Sequence, residues 1–164
     1  MKAAILTVSD SRDIETDLSG AFLVEALQPA GHSLAERRIL PDDIYAVRAQ
    51  VSAWIADPTI ELIITTGGTG ITGRDGTPEA IMPLLDKQID GFGELFRQLS
   101  YAEIGAATVQ SRALAGVANG HLLFCLPGSS GAVRLAWESI LKPQLDPATR
   151  PCNFPMLLPR LKER

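Results

Sequence analysis

The sequence predicts an α/β fold: an open, mostly parallel sheet with one antiparallel hairpin, covered by helices on both faces as an α/β/α sandwich, in a single domain over residues 1–164. Three observations predict it. Short apolar runs at 3–8, 60–66 and 121–126 end in polar clusters, as strands buried on both faces do. Segments with apolar residues three or four positions apart follow such runs, so that strand and helix alternate four times. Asn119-Gly120, between the apolar runs 113–118 and 121–126, supplies the two positive φ angles of a tight hairpin turn.

Taken in order, 3–8 is the first strand, and Asp17 and Ser19 lead into Phe22, Leu23, Ala26 and Leu27, a helix of about three turns closed by Pro29-Ala30-Gly31. A second, weaker strand falls within 32–39. Pro41-Asp42-Asp43 then offers capping carboxylates to a helix whose buried face is Ile44, Val47, Val51, Trp54 and Ile55, ending before Asp57-Pro58. The segment 60–66 is a central strand. The stretch Gly67 to Gly76 bridges it to a helix with Thr77 at the N-cap and Pro78 as first helical residue. No strand is readable in 86–91, and 93–105 is helical or irregular. After the hairpin, Val133, Ala136, Trp137, Ile140 and Leu141 share one helical face that ends at Lys142-Pro143, and a Pro-containing tail completes the chain.

Composition narrows the function. At 46% apolar and 21% charged residues, with 14 Gly and 11 Pro in 164, the chain is globular in type, which excludes disordered and collagen-like classes. The net charge of −4 lacks the basic excess of a nucleic-acid binder, although eleven of the fifteen cations are Arg, suited to small anions. Cys125 and Cys152 form no C-x-x-C and read as reduced thiols. No apolar run reaches the ~18 residues of a membrane span, and 3–8 is too short for a secretory leader, so a cytoplasmic protein is expected.

In such sheets ligands bind beyond the carboxyl ends of the strands, where helix N-termini point inward. The four loops expected there are Ser9-Asp10-Ser11-Arg12 with Asp17 and Ser19; Pro41-Asp42-Asp43; Gly67-Gly68-Thr69-Gly70 through Asp75; and Pro127-Gly128-Ser129-Ser130-Gly131. All are rich in Gly, Ser, Thr and Asp. The third contains G-x-G-x-x-G, but it follows the third strand rather than the first, and Arg74-Asp75 stand where a P-loop has Lys and Ser or Thr. What remains is general: a glycine-rich backbone can approach phosphate oxygens, and Asp75 can hold Mg²⁺ directly or through water. Plain roles compete for the rest. One of Asp42 and Asp43 caps a helix, Glu79 suits a helix first turn, and one of Ser129 and Ser130 caps the last helix. His32 and His121 have no companion at metal-ligand spacing, Trp54 and Trp137 lie on apolar faces, and no nucleophile–base constellation can be assembled.

Thr65-Thr66-Gly67-Gly68-Thr69-Gly70, Arg74-Asp75-x-Thr77-Pro78-Glu79-Ala80, Gly91-Phe92-Gly93-Glu94, Ser111-Arg112 and Leu126-Pro127-Gly128-Ser129 together resemble the molybdenum-cofactor biosynthesis family, which includes the molybdopterin adenylyltransferases and gephyrin-like G domains. Residues 46–55 and 149–154 look like one branch of it. The resemblance implies a three-layer α/β subunit, a homotrimer or a hexamer of paired trimers, and molybdopterin as substrate or ligand. It also implies adenylyl transfer from ATP with Mg²⁺ and release of pyrophosphate. It places Asp42 and Asp75 on the metal and in catalysis, and Gly67, Gly68, Thr69, Gly70, Glu79, Ser111, Arg112, Pro127, Gly128 and Ser129 on substrate; the strand-end loops add Ser9, Asp10 and Ser19 as further candidates. Adenylyltransferases of the family commonly have Asn or Gln followed by Pro after Pro-Gly, whereas Ser129-Ser130 stand here. The alternative is accordingly a non-catalytic molybdopterin-binding or carrier protein.

Overall fold

A computed structural model of the chain describes residues 1–161 and Glu163. Strand β1 (Lys2–Val8) is buried over all but its first residue because it pairs in parallel on both edges, with β2 (Ser33–Leu40) and β3 (Leu62–Thr66). β6 (His121–Leu126) runs parallel to β3, and β5 (Leu114–Ala118) returns antiparallel to β6. At the turn between them Asn119 and Gly120 have φ of 48° and 79°, so the expected hairpin and mostly parallel sheet are both present. The strand order is β2-β1-β3-β6-β5-β4, where β4 is the pair Lys87–Gln88 at the edge.

Alternation along the strands feeds two cores. Ile5, Ile64 and Phe124 point to one face, against α1 (Leu18–Leu27), α4 (Asp90–Ile104) and α5 (Ser130–Ala136). Leu6, Ile63 and Leu123 point to the other, where α2 (Ile44–Ala56) contributes Val47, Val51 and Trp54, and α3 (Thr77–Ile81) contributes Ala80 and Ile81. Each large side chain so buried contributes roughly 1.5–3 kcal/mol. Helices therefore cover both faces, as the alternation of elements requires.

Several boundaries differ from expectation. β4 (Lys87–Gln88) is a strand where none was readable: two exposed residues complete the sheet edge against Gly116 and Val117, and two residues carry no alternation to read. α4 is a full helix of 15 residues. Thr77 is the first residue of α3, so the helix begins one residue earlier than expected, with Gly76 at the N-cap and no side chain capping. The last helix also does not stop at Lys142-Pro143. A π-turn over Trp137–Leu141, in which the Lys142 N–H reaches the Trp137 carbonyl, carries the chain into α6 (Lys142–Leu145). The wider turn accommodates a residue that has no N–H to give. In the tail, Asn153 caps α7 (Phe154–Leu157), and the Phe154 ring lies edge-on to Phe124 at 5.6 Å. Cys125 and Cys152 are both free thiols.

Candidate functional site

The strand register aligns Val8 with Leu40, Thr7 with Thr66, and Thr66 with Leu126, so the loops after β1, β2, β3 and β6 leave the sheet side by side. They are the four polar loops singled out by sequence. Backbone contacts bind them together: the Gly67 N–H donates to Leu126 O at 3.1 Å, the Ser19 hydroxyl to Gly128 O at 2.9 Å, and the Thr66 hydroxyl to Pro127 O at 2.9 Å. Gly67, at φ 95°, lies so close to β1 that a Cβ would stand 2.1 Å from Val8 O. Ser9 continues β1, its N–H donating to Leu40 O at 2.8 Å.

Three carboxylates converge over this floor. Asp43, not Asp42, caps α2, accepting from the N–H groups of Tyr45 and Ala46. Asp42 is thereby left free. Its carboxyl is raised above the ordinary carboxylate range, by burial first and then by the negative charges of Asp10 and Asp75. Asp10 accepts the Asp42 N–H at 3.1 Å and a two-pronged contact from Arg74, at 2.8 and 2.7 Å. Asp75 is held below the ordinary range, chiefly by the hydroxyl of Thr72, with help from backbone N–H groups. Gly68 has φ 63°, and a Cβ on it would fall 2.7 Å from Asp42 Oδ1 and 2.2 Å from Thr77 Oγ1; a Cβ on Gly70 would fall 2.5 Å from Asp75 Oδ2. Glycine at these positions lets the oxygens close onto the main chain, where a side chain would collide with them. Thr77 Oγ1 has no hydrogen-bond partner there.

The remaining candidates divide. Arg112 braces the loop from behind, donating to Thr69 O at 3.1 Å and Asp75 O at 3.3 Å and pairing with Glu79. Thr69 and Gly70 on one side, with Pro127 and Ser129 on the other, border a cavity of about 220 Å³ that also holds Ser100 and Ser111. The Ser111 hydroxyl is buried without a partner. A second cavity, of about 190 Å³, lies across Gly67 and Gly128 and is bordered by Ser9, Arg12, Ser19 and Ser129. Ser129 caps α5, its hydroxyl accepting from Ala132 N–H at 3.3 Å. Hydroxyls, backbone amides and carboxylates around a glycine-lined floor can receive a ligand that carries phosphate.

The model of the family described as "Probable molybdopterin binding domain" matches residues 4–147. The chain belongs to this family. A curated relative, Molybdenum cofactor biosynthesis protein B of Escherichia coli strain K12, is 54% identical over 153 residues, covering 93% of this chain and 90% of the relative. Among solved structures, one of a Molybdenum cofactor biosynthesis protein B superposes with a TM-score of 0.88 at 41% identity, covering 99% of this chain and 96% of that one. The tungsten cofactor synthesizing protein MoaB from Pyrococcus furiosus gives 0.81 at 36% identity, with coverage of 99% and 97%.

Two buried hydroxyls of this molybdopterin-binding-domain chain carry no functional signal in its sequence: Ser100, which borders the larger cavity, and Thr77, which lies against Gly68. Ser100 sits inside α4, 4% exposed, where a serine carries no motif. The sequence pattern predicts Thr77 as the N-cap, and the earlier helix start frees its hydroxyl from capping. The absence of a better N-cap partner in the sequence could not reveal that shift. Among the described residues no three His, Cys, Asp or Glu side chains form a ready-made metal cage. Among the described residues no helix is long and apolar enough to cross a membrane.

Proposed function

We propose that the protein acts in molybdenum cofactor biosynthesis, binding molybdopterin in the cavity between Thr69-Gly70 and Ser100-Ser111 and adenylylating it with Mg-ATP. The convergence of Asp42 and Asp75 on the glycine-rich loop, whose Gly67 borders one cavity and whose Thr69-Gly70 border the other, carries this reading. The larger cavity offers Phe96 and Ile104 as apolar walls for fused rings and hydroxyls for polar edges. The cavity across Gly67 and Gly128 offers Ser9, Arg12 and Ser19 to a nucleotide. In the transfer, an oxygen of the terminal phosphate of molybdopterin bonds to the α-phosphorus of ATP, the bond from that phosphorus to the β-phosphate oxygen breaks, and pyrophosphate leaves. Such chemistry needs alignment and neutralised charge rather than a protein nucleophile.

A divalent cation fits the residues present. Mg²⁺ takes one or two carboxylates, keeps several waters and shares substrate phosphates, so the free Asp42, the nearby Asp75 and the unpartnered Thr77 oxygen suit it without a full protein cage. When bound it would neutralise the charge of the transferring phosphate. Asp42 and Asp75 would hold it, and the N–H groups of 67–70 would orient the phosphate oxygens. Purified protein with ATP, Mg²⁺ and molybdopterin should release pyrophosphate, and Asp75→Asn should reduce the rate at least tenfold with an unchanged circular dichroism spectrum. A rate equal to the protein-free blank would refute the transferase reading.

One observation favours a second reading, a molybdopterin binder or carrier without nucleotide turnover. The Ser129 hydroxyl, at the position where the sequence departs from the adenylyltransferase pattern, is committed to capping α5. Equilibrium dialysis would then retain molybdopterin while ATP is left intact. Under either reading we propose a cytoplasmic homotrimer, or a hexamer of paired trimers.

A further inference from the structure

Thr77 Oγ1 is a buried hydroxyl without a use inside the chain. The residue is 1% exposed, and Oγ1 makes no hydrogen bond. Its backbone is fully employed, since its N–H donates to Gly68 O at 2.9 Å, which closes the loop 68–77 and fixes the hydroxyl over Gly68. It does not cap α3, whose N-cap is Gly76. The point where a Gly68 Cβ would stand is 2.2 Å from Thr77 Oγ1 and 2.7 Å from Asp42 Oδ1, so both oxygens close onto the same face of Gly68. An unmet hydroxyl in such a place costs folding free energy, and a valine of the same shape would not incur that cost. The charges acting on the adjacent Asp42 are Asp10 and Asp75 against Arg74, which is already engaged by Asp10, while Arg112 beside Asp75 is engaged by Glu79. An excess of carboxylate oxygen beside an oxygen with free lone pairs favours a cation over an anion as the missing partner.

We propose that the Thr77 hydroxyl oxygen is a neutral ligand of the divalent cation held by Asp42 and Asp75. The inference rests on the reading of that pair as a cation site, and adds a third protein oxygen to it from the helix that follows the glycine-rich loop. Thr77 fixes where on the Gly68 floor the ion sits, and with it the height at which the ion meets a phosphate.

The test is binding of Mn²⁺ alone to the full chain, followed by electron paramagnetic resonance of the free ion, for wild type, Thr77→Val, Thr77→Ser and Asp42→Asn. Thr77→Val should weaken Mn²⁺ binding about tenfold, Thr77→Ser should return it to within about twofold of wild type, and Asp42→Asn should abolish it. In the metal-free protein Thr77→Val should raise Tm by about 3 °C, because an unsatisfied polar group has been removed. A merely structural hydroxyl would lower it. Unchanged Mn²⁺ affinity in Thr77→Val, with loss in Asp42→Asn, overturns the inference and leaves the cation site standing. Absence of Mn²⁺ binding in the wild type overturns both.

Discussion

At the scale of single residues, Gly68 shows how little room the site leaves. Gly68→Ala forces an L side chain into φ 63° and into the oxygens of Thr77 and Asp42. It should cost about 1–2 kcal/mol in urea denaturation and abolish molybdopterin retention in dialysis. Asp42 and Asp17 should respond to pH in opposite senses. The Asp42 carboxyl is raised, so its charged form destabilises the fold above the raised value, and that cost vanishes below the ordinary 3.8, where folded and unfolded chains are both protonated. Asp42→Asn should therefore raise Tm at pH 7, with the gain fading towards pH 4. Asp17 is lowered: burial works against its charge, but Arg37 at 2.7 Å, Thr7 and the Gly20 N–H outweigh it. Its stabilisation is fully present above 3.8 and is lost as pH falls through the lowered value. Asp17→Asn should cost about 3 kcal/mol at pH 7 and flatten the acid limb of the stability profile measured by urea melts. Asp42 and the glycines were legible in the sequence because free carboxylates and clustered glycines at a strand end have few plain uses. Thr77 and Ser100 were not, because hydroxyls on helices have many.

At the scale of elements, legibility followed burial on both faces. β1, β3 and β6 are continuous apolar runs because helices cover both sides of them, whereas β2 lies at the sheet edge with a mixed pattern, Ser33–Leu40, and β4 exposes both its residues. Edge strands take their place from their neighbours, and their own composition hardly records it. The hairpin was readable for a local reason. Asn119 adopts φ 48°, and its side-chain amide donates to Ile55 O at 3.0 Å, tying the turn to the end of α2. Asn119→Ala should lose about 1–2 kcal/mol, whereas Asn119→Gly keeps the turn and loses only the tie, so chemical denaturation should rank wild type, Gly and Ala in that order. The π-turn before α6 had no signal beyond Pro143 itself, which reads equally well as a stop.

At the scale of the molecule, one apolar surface stands out. Tyr101, Ile104 and Val109 are exposed at the end of α4 and along the turn that follows it, and Ile104 also borders the 220 Å³ cavity. Exposed apolar groups so gathered suit burial against copies of the chain. Light scattering should give a mass three or six times 17.6 kDa, and Tyr101→Glu with Ile104→Glu should reduce it to that of the single chain. Ser129 borders both cavities, and beside it Gly128 packs on Gly67, with 3.1 Å from where a Gly128 Cβ would lie to Gly67 Cα, so that two glycines form the divide there. That divide is a crest of bare main chain. Substitutions can reshape either basin and alter what it prefers, yet the crest itself has no side chain to vary. A molecule draped across it would thus meet the same saddle whatever the two slopes become, and selectivity could drift on each slope without moving the bond-making point.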